Sequence, residues 1–109
     1  MAGYKKEVPP TLRQYLWLKR EAPYKSILLF RIGDSYGIFG KENVDEVREI
    51  LSIPDSLQDK VFVSIRDIDT TLAKFIRNGK TVAIADYGGN TRRGVLTRRE
   101  ITRIISPYG

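Results

Sequence analysis

Apolar positions recur along this chain in two different rhythms, and the rhythm predicts each element. Pro9-Pro10 blocks an earlier helix, and "TLRQ" follows as a capping box with Thr11 as cap and Gln14 three residues on. Leu12, Tyr15, Leu16 and the stem of Lys19 then share one helical face, and Ala22-Pro23 ends the run. "KSILLFRI" is near-continuously apolar, the pattern of a strand covered on both faces. Gly33-Asp34-Ser35 turns it back into "YGIF", which predicts a hairpin.

Asn43 opens a second helix with Glu46 three residues later, Val44, Val47, Ile50 and Leu51 as its buried stripe and Pro54 as its stop. "VFVSI" at 61–65 reads as a strand from its β-branched residues. Asp69 or Thr70 caps a third helix carrying Leu72, Phe75 and Ile76, with Gly79 just past its end. "TVAIAD" is a further buried strand, "YGGNTRRG" a turn, and "VLTRREITRII" one or two closing strands. Strands alternating with helices predict an α/β domain, a mixed sheet flanked by about three helices, spanning residues 1–109 with 1–10 as a flexible lead-in.

Composition changes this picture mainly by exclusion. The chain of 109 residues has no cysteine and no histidine, so disulfides, thiolate chemistry and the commonest zinc, haem and copper ligands are gone. No cofactor is expected. The apolar run "SILLF" is too short to cross a bilayer, and "MAGYKKEVPP" has no apolar stretch behind its lysines, so a cytoplasmic protein without membrane contact is expected. Charge is informative by position: of the net +6, +5 falls between Arg77 and Gly109, with five arginines within 92–103. Arginine suits paired phosphate contacts, so a polyanion is the natural partner, against the alternative of a solvated charged face.

Gly33-Asp34-Ser35-Tyr36-Gly37 satisfies G-x-S-x-G, the nucleophile elbow of serine hydrolases. The chemistry does not follow. A serine hydroxyl needs a positioned base, histidine is missing, and "IFG" after the motif is strand-like where an elbow opens into a helix. A metal-dependent nuclease would need clustered carboxylates beside a lysine, and Asp34, Asp86 and Glu100 form no such spacing.

"QYLWLK" (14–19), "LLFRIGDSYGIF" (28–39), "TLAKFIRNGKTVAIAD" (71–86) and "VLTRREITRIISPYG" (95–109) together resemble the N-terminal domain of the MutS mismatch-repair ATPases, in order and at compatible spacing. The resemblance implies a mixed sheet with flanking helices that meets DNA in the minor groove at a mispair. It also implies a Phe-x-Glu pair after Gly-Asp, the ring wedging beside the mispaired base and the carboxylate bonding to it. Ser35 stands at the phenylalanine position and Gly37 at the glutamate position. Both reading groups are therefore replaced, and Tyr36 between them should face the opposite side of the strand. Ser64-Ile65-Arg66 replaces a Pro-Tyr-His stretch, keeping a cation at Arg66. "SPYG" falls where the family's first domain ends, and no G-x-x-x-x-G-K-[ST] occurs, so ATP binding is not expected of this chain.

The expected function is a non-catalytic DNA-binding domain that holds duplex DNA largely through backbone contacts, in a DNA-repair context. Its candidate contacts are Arg31, Ser35, Tyr36, Gly37, Arg66, Arg92, Arg93, Arg98 and Arg99. Its expected partners are double-stranded DNA and a protein that supplies the ATPase and clamp. The alternative is a protein-interaction module that keeps the fold and has lost mismatch reading.

Overall fold

A run of apolar residues can be buried on both sides only at the middle of a sheet, and "ILLFRI" takes that place. The structure, a computed structural model, describes residues 10–54, 58–88 and 98–107. Among them are α1 (Pro10–Glu21), β1 (Ile27–Ile32), β2 (Ser35–Phe39), α2 (Lys41–Leu51), β3 (Lys60–Ser64), a 3-10 turn (Ile65–Asp67), α3 (Ile68–Arg77), β4 (Val82–Tyr87) and β5 (Arg99–Ile105). The five strands form one mixed sheet in the order β3-β2-β1-β4-β5. β1 pairs antiparallel with β2 and parallel with β4, while β3 and β5 lie antiparallel at the two edges. The α/β expectation holds.

Alternation along β1 divides the core in two. Ile27 and Leu29 face α2 and α3, where Val44, Val47, Leu72 and Phe75 close over them together with Ile38, Val82 and Ile84. Leu28 and Phe30 face α1, packing with Tyr15, Leu18, Ala22, Ala83 and Ala85. On this second side α1 lies over β1 and β5, and the β2–β3 flank is left more open. At that flank the aromatic rings pack edge to face, Tyr15 on Phe30 at 5.5 Å and Phe39 on Tyr15 at 5.0 Å.

Several boundaries differ from the sequence reading, through local capping contacts at the start of α2 and before α3 and a distant contact at Gln14. α1 begins at Pro10, which occupies the first helical turn comfortably, so Thr11 lies inside the helix rather than at its cap. Gln14 does not close a capping box, because its Oε1 accepts the backbone N–H of Arg99. Leu18 takes the buried place beside Tyr15, and Leu16 is 46 % exposed. α2 starts at Lys41 after Gly40, and Asn43 sits in the first turn, donating from Nδ2 to the Phe39 carbonyl at 2.9 Å. β3 spans Lys60–Ser64, with Ile65 already in the 3-10 turn. α3 continues from that turn at Ile68, so neither Asp69 nor Thr70 caps it; Ser64 Oγ caps the turn instead by accepting the Arg66 N–H at 3.2 Å. One closing strand, β5, is present among the described residues.

Candidate nucleic-acid interface

The β1–β2 hairpin turns at one end of the sheet, and its shape follows from two residues. Ile32 pairs with Ser35 across a two-residue turn, Gly33-Asp34. Gly33 has a φ of 59°, a value that glycine adopts without a Cβ penalty, and it is the first central residue where hairpin turns ask for it. Ser35 therefore opens a strand and not a helix, so the geometry of a nucleophile elbow is not built here.

Side chains clamp the turn from both sides. The Gly33 N–H donates to the Tyr87 hydroxyl at 2.6 Å, and Arg31 Nε donates to the Gly33 carbonyl at 2.6 Å. The Ile65 N–H donates to the Asp34 carbonyl at 3.0 Å, tying the tip to the turn that carries Arg66. Behind the tip, Arg31 Nη1 meets Asp86 Oδ1 at 2.7 Å, and the Tyr36 hydroxyl donates to Asp86 Oδ2 at 2.9 Å. The guanidinium groups of Arg31 and Arg99 lie 5.0 Å and 5.1 Å from the Tyr87 ring centre. Arg99 Nε donates to the Arg31 carbonyl at 2.8 Å.

Burial opposes ionisation of Asp86, but the Tyr87 N–H, the Tyr36 hydroxyl and Arg31 outweigh it and hold the carboxyl below its usual value. Burial raises the Tyr36 hydroxyl, and its bond to the Asp86 carboxylate raises it further. A folded value below the unfolded one means that ionised Asp86 stabilises the domain above the unfolded carboxylate range, and that this support disappears as pH falls through the folded value. Asp86→Asn is therefore expected to lower the urea midpoint at neutral pH, and the gap to the parent should close as pH falls through the folded value and the Asp86 carboxyl protonates. A gap that persists unchanged into acid would assign Asp86 a shape role instead of a charge role.

The candidate residues separate into three groups. Ser35, half-buried, and Arg66, exposed, line one cleft of about 440 Å³ at the hairpin tip with Asp34, Ser64 and Ile65. Arg98 is exposed at the same end of the sheet, where its carbonyl accepts the Gly88 N–H at 2.8 Å. Arg66 and Arg98 form no ion pair among the described residues. By contrast, Tyr36 and Arg99 are buried inside the domain, and half-buried Arg31 is committed to Asp86 and the Gly33 carbonyl. Tyr36 faces α2 and α3 at 6 % exposure, and Arg99 is 7 % exposed. Gly37 is buried, and a Cβ there would lie 2.8 Å from the Phe39 ring and 3.1 Å from that of Phe62. Arg92 and Arg93 lie outside the described residues.

Tyr87, which holds the turn, escaped the sequence reading; an aromatic ending an apolar strand beside Gly88-Gly89 was the signal for it. Phe62 escaped it too, although Val61 and Val63 facing inward force the residue between them outward. Among the described residues, no three acidic side chains come together as a metal site, and no helix is long and apolar enough to cross a membrane.

Comparison with known proteins places this arrangement. The family described as MutS domain I matches residues 9–108. The chain is 35 % identical over 107 residues to the DNA mismatch repair protein MutS of Porphyromonas gingivalis, covering 90 % of this chain and 12 % of that protein. It is 38 % identical over 106 residues to the MutS of Thermotoga maritima, covering 93 % and 13 %. To the MutS of Methanothrix thermoacetophila it is 28 % identical over 107 residues, covering 90 % and 12 %. The chain thus spans about an eighth of the length of these curated relatives. With a family match running almost from end to end over a mixed five-stranded sheet and three helices, this chain belongs to the MutS domain I family.

Proposed function

We propose that this chain is a non-catalytic DNA-binding domain of a DNA-repair system, gripping duplex DNA mainly through its phosphates. The observation that carries the reading is the cationic end of the sheet. Arg66 and Arg98 stand exposed and outside any described ion pair around a rigid hairpin, in a chain of net charge +6 whose family relatives are named for mismatch repair. Arg92 and Arg93 join the contact set on sequence grounds alone, as part of the arginine-rich stretch 92–103. Arg31 and Arg99 serve as positioning residues, because their guanidinium groups already hold the hairpin and β5. With serine and glycine at positions 35 and 37, the hairpin carries neither stacking ring nor carboxylate, and phosphate contacts position a protein without reading sequence.

Band-shift titration at several salt concentrations tests this. Replacing Arg66, Arg92, Arg93 and Arg98 by alanine should flatten the slope of log affinity against log salt by up to about 0.9 for each phosphate no longer neutralised. Matched and base–base mispaired duplexes should bind the parent within about threefold of each other, a gap of under roughly 0.7 kcal/mol. An unchanged slope would reduce the arginines to a solvated face, and a tenfold mispair preference would mean that another group reads the base.

A second reading, a protein-interaction module, draws on α1, where Leu16 is exposed and Trp17 is 59 % exposed on the outward side. Its signature is wholly salt-labile DNA binding together with a saturable protein partner that Trp17→Ala abolishes.

A further inference from the structure

The open flank of the sheet beside Gly37 carries a feature that the phosphate-gripping role does not use. Thr11, Leu12, Ile32, Phe39, Lys60 and Phe62 line a slot of about 280 Å³ between the start of α1 and the strands β1, β2 and β3. Phe62 forms its outer wall at 50 % exposure, packed edge to face on Phe39 at 5.9 Å and 85°. It lies directly across from Gly37, and the neighbouring pair on the same side of the sheet is Ser35 with Ser64. Three of the four residues on this stretch of the two strands are therefore serine or glycine, and no bulky side chain from them shields the ring.

We propose that this slot takes one unstacked nucleobase of single-stranded DNA, with Phe62 as the stacking platform. The inference rests on the DNA-binding reading above and adds a site to it. Charge selects the occupant. Lys60 is exposed on the slot, Arg66 is exposed beyond Ser64, and neither forms an ion pair among the described residues. Cations at both ends of an exposed ring match a base whose flanking phosphates run to either side, the combination by which single strands are held without sequence preference. Asp59 beside Lys60, Asp67 beside Arg66 and Asp34 at the hairpin tip are exposed, and none of them pairs with either cation among the described residues. The apolar walls exclude water from the base faces, while the Thr11 hydroxyl and the Lys60 ammonium are the polar groups open to a base edge. Phe62 lies within a strand of the sheet and not at the hairpin tip, so it captures a base that is already unstacked and does not lever one out of a duplex.

The test compares a blunt matched duplex with the same duplex carrying a short thymine overhang, in direct binding titrations. The parent should bind the tailed duplex roughly fivefold more tightly or better, given what one base–aromatic stack contributes. Phe62→Ala should erase that preference and leave blunt-duplex affinity within about twofold, while lowering the thermal midpoint by only a few degrees through the lost edge-to-face contact with Phe39. Phe62→Tyr should retain the preference. A bromouracil in the overhang should photocrosslink to the peptide containing Phe62. Equal binding of the two duplexes, or a preference that survives Phe62→Ala, would overturn the slot and leave the phosphate-gripping reading standing. Failure to bind either duplex would overturn both.

Discussion

Gly37→Glu is expected to destabilise the domain by about 2–3 kcal/mol, the range of overpacking in a filled core with the added cost of a crowded carboxylate. The cause is close approach. Gly37 has no positive φ to defend, so backbone conformation does not exclude glutamate. Space does: the Phe39 ring lies across the glycine, where a Cβ would sit 2.8 Å from Cζ and 2.9 Å from Cε2, with Phe62 Cε1 at 3.1 Å. Relief requires Phe39 to swing away, and that breaks its edge-to-face contacts with Tyr15, Phe30 and Phe62. Each such contact contributes roughly 0.5–1.5 kcal/mol beyond burial. Urea denaturation measures the destabilisation, and repeating it in a Phe39→Leu background separates causes. If Phe39 is the obstacle, the penalty shrinks there and the two substitutions are not additive.

The same geometry bears on what position 37 does in this chain. A glutamate cannot simply be reinstated to recover a base-reading carboxylate, because the aromatic cluster occupies its volume. Position 35 differs, since Ser35 borders the open cleft at the hairpin tip and its neighbours leave room for a larger side chain. The two replacements are thus unequal: one is a polar residue at an accessible tip, and the other has been built into the packing.

Strand signals were the most legible part of the sequence, because burial writes itself directly into local pattern. "ILLFRI" announced a central strand, and "RIGDSY" announced its hairpin. Helix starts slipped by one to three residues, and a side chain committed to a distant partner was not legible at all. Gln14 looks like a capping-box residue until Arg99, 85 positions away, arrives to use its amide oxygen. The site suffered from the same blindness. A count of arginines cannot distinguish Arg98, which faces solvent, from Arg99, which turns under the sheet; strand alternation decides it, and that needs the strand's start. Edge position is likewise invisible locally, so Phe62 read as one more apolar strand residue although it lies on the open flank of β3.

Arg99→Ala is expected to be the second large destabilisation, about 2–4 kcal/mol, although surface arginines usually contribute far less. At 7 % exposure the guanidinium is packed 4.6 Å from the Phe30 ring centre and 5.1 Å from that of Tyr87. Each cation–π contact contributes roughly 0.5–2 kcal/mol, more as water is excluded. Its Nε donates to the Arg31 carbonyl, and removing that donor leaves a partly buried acceptor unsatisfied at a cost of about 1–3 kcal/mol. Lysine should restore only part of this, because an ammonium cannot lie flat on two rings while reaching the carbonyl. The neighbour supplies the control. Arg98→Ala should change stability by no more than about 0.5 kcal/mol, yet lower duplex affinity and the salt slope. The two adjacent arginines are thereby expected to divide cleanly, one moving the unfolding midpoint and the other the salt dependence. If Arg99→Ala leaves the midpoint in place and flattens the salt slope instead, then Arg99 reaches phosphate directly, and its position against Phe30 and Tyr87 is not its working state.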